Sequence, residues 1–360
     1  MRNDLSDPDS YTHGIPHDWF RHLRATEPVS WQREQLGPGF WAVTRYDDVV
    51  KVLRTPAVFS SWRGGVLLAD PPAEFLPKLR QGMMNRDPPE HTQLRRLVNK
   101  ALSPRRVDQL DHVIAEHATA LVAGVRERGR CDFATDVAGE MPLFMICELL
   151  GVPHADRHAL FALTARMLGT EIQDPREAQK DQIAAAEQLR AYALTLREAK
   201  LANPIDDICS DLVTSEVEGK RLTESEFQSF FMLLFNAGAD TTRSLLSYGL
   251  DLLLDHPAEL ERLRANPDLL PPAIEELVRY VSPAIQMRRT ASCNTELAGK
   301  SIKEGDKVVV FYPSANRDET KFSDPDRFVV DRSPNEHIGF GYGTHFCLGA
   351  PLARSEAKHV

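Results

Sequence analysis

The chain has 360 residues and carries 52 acidic against 43 basic side chains, a formal net charge of −9. At 42% hydrophobic and 26% charged it has a globular composition with enough chain for a large core, which excludes wholesale disorder and collagen-like repeats. An acidic chain without clustered Lys and Arg is poorly suited to neutralise phosphates, so no nucleic-acid partner is expected.

The N-terminus, Met1 to Asp7, is polar and leads into no apolar stretch of the kind a signal peptide needs. The longest apolar run, Phe230 to Phe235, is interrupted by Asn236 and falls far short of the ~20 residues of a membrane span, so no membrane anchor is expected. Five scattered cysteines (Cys131, Cys147, Cys209, Cys293 and Cys347) include no Cys-x-x-Cys pair. They read as reduced thiols of a cytoplasmic protein, each by default a small buried hydrophobe.

In chain order, Val29–Gln32 and Phe40–Thr44 alternate around Gly37-Pro38-Gly39 and predict a hairpin. Tyr46–Arg54 predicts a short amphipathic helix with Val49, Val50 and Leu53 on one face. Further helices are predicted near 90–101, 105–127, 140–150, 156–168 and 176–202. The longest runs from near 224 to 255. Thr223 and Glu226 have capping-box spacing, apolar residues recur to Leu254, and His256-Pro257 stops the run.

The flanks of that helix read as buried, yet its centre is Ala237-Gly238-Ala239-Asp240-Thr241-Thr242. A mid-helix Gly costs about 1 kcal/mol against Ala. A buried carboxylate costs more unless paired, and Thr241 can bond back to the carbonyl of residue 237. The segment is therefore either a functional kink or a stretch whose Asp240 faces solvent. Beyond it, short strands are predicted near Glu296–Lys303 and Lys307–Phe311, before a Pro- and Asp-rich loop to Asn335. No repeat or Gly/Ser linker divides the chain, so residues 1–360 are expected to form one domain, mainly α with small β-sheets.

Near the end, Phe340-Gly341-Tyr342-Gly343-Thr344-His345-Phe346-Cys347-Leu348-Gly349 sets a cysteine among glycines that let backbone run close to a flat partner. A helix is predicted from Leu348, which puts Cys347 at its N-terminus, where unpaired N–H groups favour a thiolate. Such a thiolate suits a soft metal or a nucleophile, and a merely structural cysteine is the plain alternative.

The pattern Phe-x-x-Gly-x-x-x-Cys-x-Gly resembles the haem-ligand loop of the cytochrome P-450 superfamily, the haem-thiolate monooxygenases. Ala237–Thr242 resembles that family's oxygen-activating helix segment. Glu276-Leu277-Val278-Arg279 resembles its Glu-x-x-Arg helix, and Pro325-Asp326-Arg327-Phe328 the segment whose Arg joins that pair. Asp87 to Arg96 resembles the haem-contacting helix of soluble bacterial members. The likeness runs from about Trp41 to the end of the chain.

The resemblance implies a cytochrome P-450 fold holding heme b, with Cys347 as the proximal iron ligand and a thiolate that favours O–O cleavage. Phe340 would pack over the thiolate side, with Gly341 in the same loop, and Gly349 would bring backbone N–H close to the sulfur. His91, Arg95, Arg289 and His345 would hold the haem propionates, with Arg288 an adjacent contender for Arg289, and Ala237 would touch the haem. Asp240 and Thr241 would relay protons to bound O2, the co-substrate. Glu276, Arg279 and Arg327 would form a buried ion network without direct chemistry.

No flavin or nicotinamide motif is present, so a ferredoxin and ferredoxin reductase would supply electrons, with NAD(P)H serving only indirectly. Arg95-Arg96 and Arg105-Arg106 are candidate docking charges. Residues 60–84 and 161–185 would cover a pocket lined by Ile285-Gln286-Met287 and Leu233-Leu234, for an apolar substrate such as a terpenoid, steroid or fatty acyl chain. Tyr312 to Glu319 looks most like actinobacterial hydroxylases of such compounds.

Peroxide-driven oxidation would sit better with Asp240 and Thr241 replaced. The chain stops at Val360 inside the helix predicted from Leu348, where relatives continue, so the usual C-terminal segment is expected to be lacking. A truncated, non-catalytic haem-binding remnant is therefore the alternative function.

Overall fold

A computed structural model of the chain describes residues 4–34, 37–99, 104–168, 172, 174–205, 207–216, 219 and 221–360. The chain divides into two compact units: Met1–Arg80, Met84–Thr92 and Tyr248–Cys347 form one, and Gln81–Met83, Gln93–Ser247 and Leu348–Val360 the other.

The first unit is built on strands β1 (Val29–Gln32), β2 (Phe40–Val43), β3 (Phe59–Ser60), β4 (Gln286–Ala291), β5 (Thr295–Leu297), β6 (Lys300–Ile302) and β7 (Lys307–Phe311). Five of them form a sheet in the order β1-β2-β7-β4-β3, and β5 pairs with β6. The predicted β1–β2 hairpin is present, with Val29 opposite Val43. β7 is central, parallel to β2 and antiparallel to β4, with Arg289 opposite Val308.

All five residues of β7 are buried. A strand covered on both faces reads as a continuous apolar run, and its alternation serves two cores. Val308 and Val310 join a cluster with Val49, Val52 and Leu53 of the Tyr46–Arg54 helix. Val309 and Phe311 join Phe20, Phe40 and Ala42 instead.

Two buried cations flank this sheet. Arg288 Nη1 lies 2.7 Å from Asp70 Oδ1, and Lys307 Nζ lies 2.7 Å from Asp70 Oδ2. Burial opposes ionisation of Asp70, but the hydrogen bonds from Lys307 and Arg288 outweigh it and hold the carboxyl below its usual range. The Arg288 N–H also donates to Val66 O at 2.9 Å, so the 61–70 segment is tied to β4 by backbone and charge together.

The Glu276 and Arg279 side chains have 0% exposure and form a forked pair, Nε to Oε2 at 2.7 Å and Nη2 to Oε1 at 2.8 Å. The third cation differs from the expected one. Arg332, not Arg327, reaches both Glu276 oxygens, at 3.0 and 3.1 Å. Arg327 contributes only its carbonyl, which accepts from Arg279 and from Arg332. The turn through residues 327–332 brings the Arg332 side chain back onto the pair, with the Arg332 N–H donating to Val329 O.

The second unit is helical. The longest helix, Glu224–Asp255, belongs to it as far as Ser247 and has the predicted bounds and the capping box: Thr223 N–H donates to Glu226 Oε2 and Glu226 N–H to Thr223 Oγ1. Phe227, Phe231 and Phe235 of this helix sit in one core with Met141, Ile146 and Leu149. Gly238 has a packing reason: a Cβ there would lie 3.0 Å from Ile146 Cδ1 of the Glu140–Leu150 helix. Helices Glu90–Asn99, Pro104–Arg128, Arg157–Leu168 and Pro175–Ala202 match expectation.

Cys147 and Cys209 are buried in this core, which pushes both thiols up to about 12. Cys131 and Cys293 are exposed, so the expectation that every cysteine is a core hydrophobe fails for them. Hydrophobic packing decided those two sites less than the surface turns they occupy.

The last helix, Ala350–His359, packs against Pro104–Arg128, where Asp111 accepts from Ser355, Lys358 and His359. On this helix Glu356 is buried, and burial alone pushes its carboxyl up to about 8 from 4.5. A folded-state value raised above the unfolded one means stability is whole below pH 4.5 and is lost as pH rises toward 8, at up to ~1.4 kcal/mol per pH unit. Urea unfolding across that range should show this decline in the native chain and a flatter profile in Glu356→Gln; parallel profiles would remove Glu356 as its source.

Candidate functional site

In the first unit, Cys347 lies in a loop closed by its own N–H donating to Phe340 O at 2.8 Å. The loop turns through two left-handed glycines, Gly341 at φ +76° and Gly343 at φ +69°. At Gly343 a Cβ would also meet Leu53 O at 2.8 Å, so that position needs glycine on two counts. The Cys347 residue is exposed and Phe340 half-buried, with the Phe346 ring 6.2 Å from Phe340. The following helix starts at Ala350 with Gly349 as its N-cap, so Cys347 precedes the helix by a short turn and is not at its first position.

Three basic residues of the same unit accompany this loop. His91 is 1% exposed, and its ring lies 4.2 Å from that of His345. His345 Nε2 is 3.4 Å from Ser61 Oγ, and the Ser61 N–H donates to Asp87 Oδ1 at 2.8 Å. Ser60 Oγ donates to the other Asp87 oxygen. Ser60 and Ser61, the first residues of the expected pocket cover, are buried and bonded to Asp87, and Ser61 also reaches His345.

Arg289 is 4% exposed, and among the described residues its guanidinium hydrogen-bonds only to the Arg288 carbonyl. Burial pulls its pKa down, with Tyr312 and Asp87 opposing. Strand parity sends Arg288 and Arg289 to different surroundings. Successive β4 side chains leave opposite faces, so Arg288 goes to Asp70 while Arg289 goes to the side of Tyr312.

In the second unit, Ala237, Asp240 and Thr241 are exposed along one stripe of a helix whose neighbouring positions are mostly buried or half-buried. The Glu224–Asp255 helix is continuous through this point. Thr241 Oγ1 donates to Ala237 O at 2.6 Å, the back-bond expected from sequence. The Asp240 side chain is 51% exposed and pairs with Arg243 at 2.7 Å, so of the two sequence readings the exposed carboxylate is the one observed. Arg95 is half-buried on the Glu90–Asn99 helix. The side chains of Arg105 and Arg106, and residues 169–171 and 173 of the expected pocket cover, lie outside the described residues.

Residues 152–360 match the family model described as Cytochrome P450. The chain belongs to the cytochrome P450 family. It is 38% identical over 363 residues to a steroid C26-monooxygenase of Mycobacterium bovis, covering 98% of this chain and 83% of the relative. It is 36% identical over 366 residues to linalool 8-monooxygenase of Pseudomonas putida, covering 100% and 90%. A solved Mycobacterium marinum cytochrome P450 in complex with pseudoionone superposes with a TM-score of 0.90 at 38% identity, covering 100% of this chain and 91% of that one.

This cytochrome P450 is thus a haem-thiolate monooxygenase with a mainly helical fold, and no described helix is long and apolar enough to cross a membrane. Its residues fit a haem. The loop offers an exposed thiol among glycines, and the desolvated Arg289 guanidinium, hydrogen-bonded among the described residues only to a neutral carbonyl, is suited to a haem carboxylate.

Proposed function

We propose that the chain acts as one haem domain and inserts an oxygen atom from O2 into a C–H bond of an apolar terpenoid, steroid or fatty acyl substrate. Electrons would come from a ferredoxin and its reductase, drawing on NAD(P)H. The observation that carries this reading is the Phe340–Gly349 loop, with the Cys347 thiol and, in the same unit, His91, His345 and the buried Arg289 guanidinium. Heme b held there supplies the thiolate-ligated iron that activates dioxygen.

Cys347 is the iron ligand, and Gly349 keeps side-chain bulk away from the turn after it. His91, His345, Arg289 and Arg95 take the haem carboxylates, and Ser61 and Asp87 orient His345 through the contacts described above. Phe340 and Gly341 line the loop on the thiolate side, and Ala237 gives the distal helix a small surface.

Asp240, exposed and held by Arg243, takes protons from water and passes them to Thr241, whose hydroxyl is the last donor. Trp62, Leu67 and Phe75 are exposed apolar side chains on the segment 60–84 and suit an apolar ligand, in keeping with the steroid and linalool named for the relatives.

With isotopically heavy dioxygen, one heavy oxygen should enter the product. Label arriving from water, or a chain that takes up no haem, overturns the reading. Thr241→Ala should lower the fraction of electrons appearing in product about tenfold while electron uptake continues, with peroxide released in its place. Unchanged coupling would take Thr241 out of the proton path.

A further inference from the structure

β7 ends at Phe311, and the chain turns directly into the short helix Tyr312–Ala315, with the Tyr312 N–H donating to Ile285 O at 3.1 Å. Tyr312 is 5% exposed. A tyrosine buried that deeply normally finds a partner for its hydroxyl. Here no described residue accepts or donates to it. The hydroxyl points at the cysteine loop: it lies 3.8 Å from where a Cβ on Gly341 would stand.

Its electrostatic neighbours are two residues already placed at the site. Burial pushes the Tyr312 phenol up, Arg289 pulls it back, and Cys347 adds to the rise. The same Arg289 is the desolvated guanidinium whose hydrogen bonding stops at a neutral carbonyl. A buried arginine whose guanidinium hydrogen-bonds only a neutral carbonyl and a buried tyrosine whose hydroxyl has no hydrogen-bond partner among the described residues therefore share this side of the sheet, with the hydroxyl beside the glycine turn. Their shared requirement is one negatively charged oxygen acceptor, and a carboxylate satisfies both at once.

We propose that Tyr312 is a further haem-holding residue, its hydroxyl donating to the haem carboxylate that Arg289 pairs with. The inference rests on the haem reading above and goes beyond its basic residue set by adding a neutral donor. Arg289 supplies charge, and Tyr312 supplies direction without adding a second cation to a dry site. The competing acceptor is the Cys347 sulfur. The hydroxyl stands over Gly341 and not over the sulfur-bearing residue, which favours the carboxylate.

The test compares wild type with Tyr312→Phe, which keeps the ring and removes only the O–H. The reduced, carbon-monoxide-bound spectrum of the wild type is recorded first, since absence of a thiolate-type band there defeats the haem reading itself. Haem transfer to excess apomyoglobin is then followed. Tyr312→Phe should lose haem about tenfold faster, with the carbon-monoxide band in its wild-type position and the urea midpoint of the haem-free chain unchanged. In an Arg289→Gln background the same change should cost less than about threefold, because the shared acceptor is no longer fixed.

Haem loss at the wild-type rate overturns the proposal. A shifted carbon-monoxide band overturns it in favour of Cys347 as acceptor. Equal destabilisation of the haem-free chain overturns it in favour of packing alone.

Discussion

Cys347→Ser should abolish the strongly red-shifted Soret band of the reduced, carbon-monoxide-bound protein and lower hydroxylation by more than ~100-fold. Partners one step removed from a metal already cost about 10–100-fold when lost, and a serine oxygen cannot donate electron density to iron as a thiolate does. The other cysteines make the result specific. Cys147 and Cys209 are buried, with thiols pushed up to about 12, and neither can present a thiolate. Cys131 and Cys293 are exposed but lack the turn that Gly341 and Gly343 impose around Cys347. Cys293→Ser should therefore leave the band in place. A red-shifted band that survives Cys347→Ser would sink the ligand assignment.

Glu276→Ala should be the most damaging substitution outside the haem site. It strands Arg279, which is fully buried, and also removes the acceptor of Arg332, Asn335 and the Val329 N–H. Breaking one side of a buried pair costs about 3–5 kcal/mol, because the remaining charge has no solvent to turn to. In a chain of this size that is a fall in Tm of roughly 4–7 °C. Denaturant unfolding of the haem-loaded protein measures it, and a loss below about 1 kcal/mol would mean the network is dispensable. Arg327→Ala should be far milder, since Arg327 acts through its backbone carbonyl, which alanine keeps.

That contrast shows where sequence stops being informative. The Glu276–Arg279 pair was legible because three residues along a helix always share a face. Which distant arginine completes it depends on a loop path that no local rule encodes, and the side chain that arrives belongs to Arg332. Helix bounds were legible wherever caps were explicit, as with Thr223 and Glu226. At the centre of that helix, Gly238 reads as a defect from propensity alone, and the Ile146 side chain facing it is a fact of packing.

The cysteine loop was legible as a motif because its spacing is fixed within ten residues, although the helix after it starts at Ala350 and not at Leu348. The loop's braces were not, since Ser61 and Asp87 are linked to His345 only after the sheet has formed. Likewise the parity of Arg288 and Arg289 has no meaning until β4 has a register against β7.

Asp70 carries a consequence for how this enzyme could diversify. One half-exposed carboxylate on the 60–84 segment pairs with two interior cations, Arg288 and Lys307, of which Lys307 also has the buried Glu34. Mutational freedom along that segment is therefore uneven. The exposed Leu67 and Phe75 can be exchanged at little cost to folding, whereas neutralising Asp70 takes the carboxylate from Arg288 and one of two from Lys307. A library that varies the exposed apolar positions and holds Asp70 constant should keep far more folded members than one that randomises the segment uniformly.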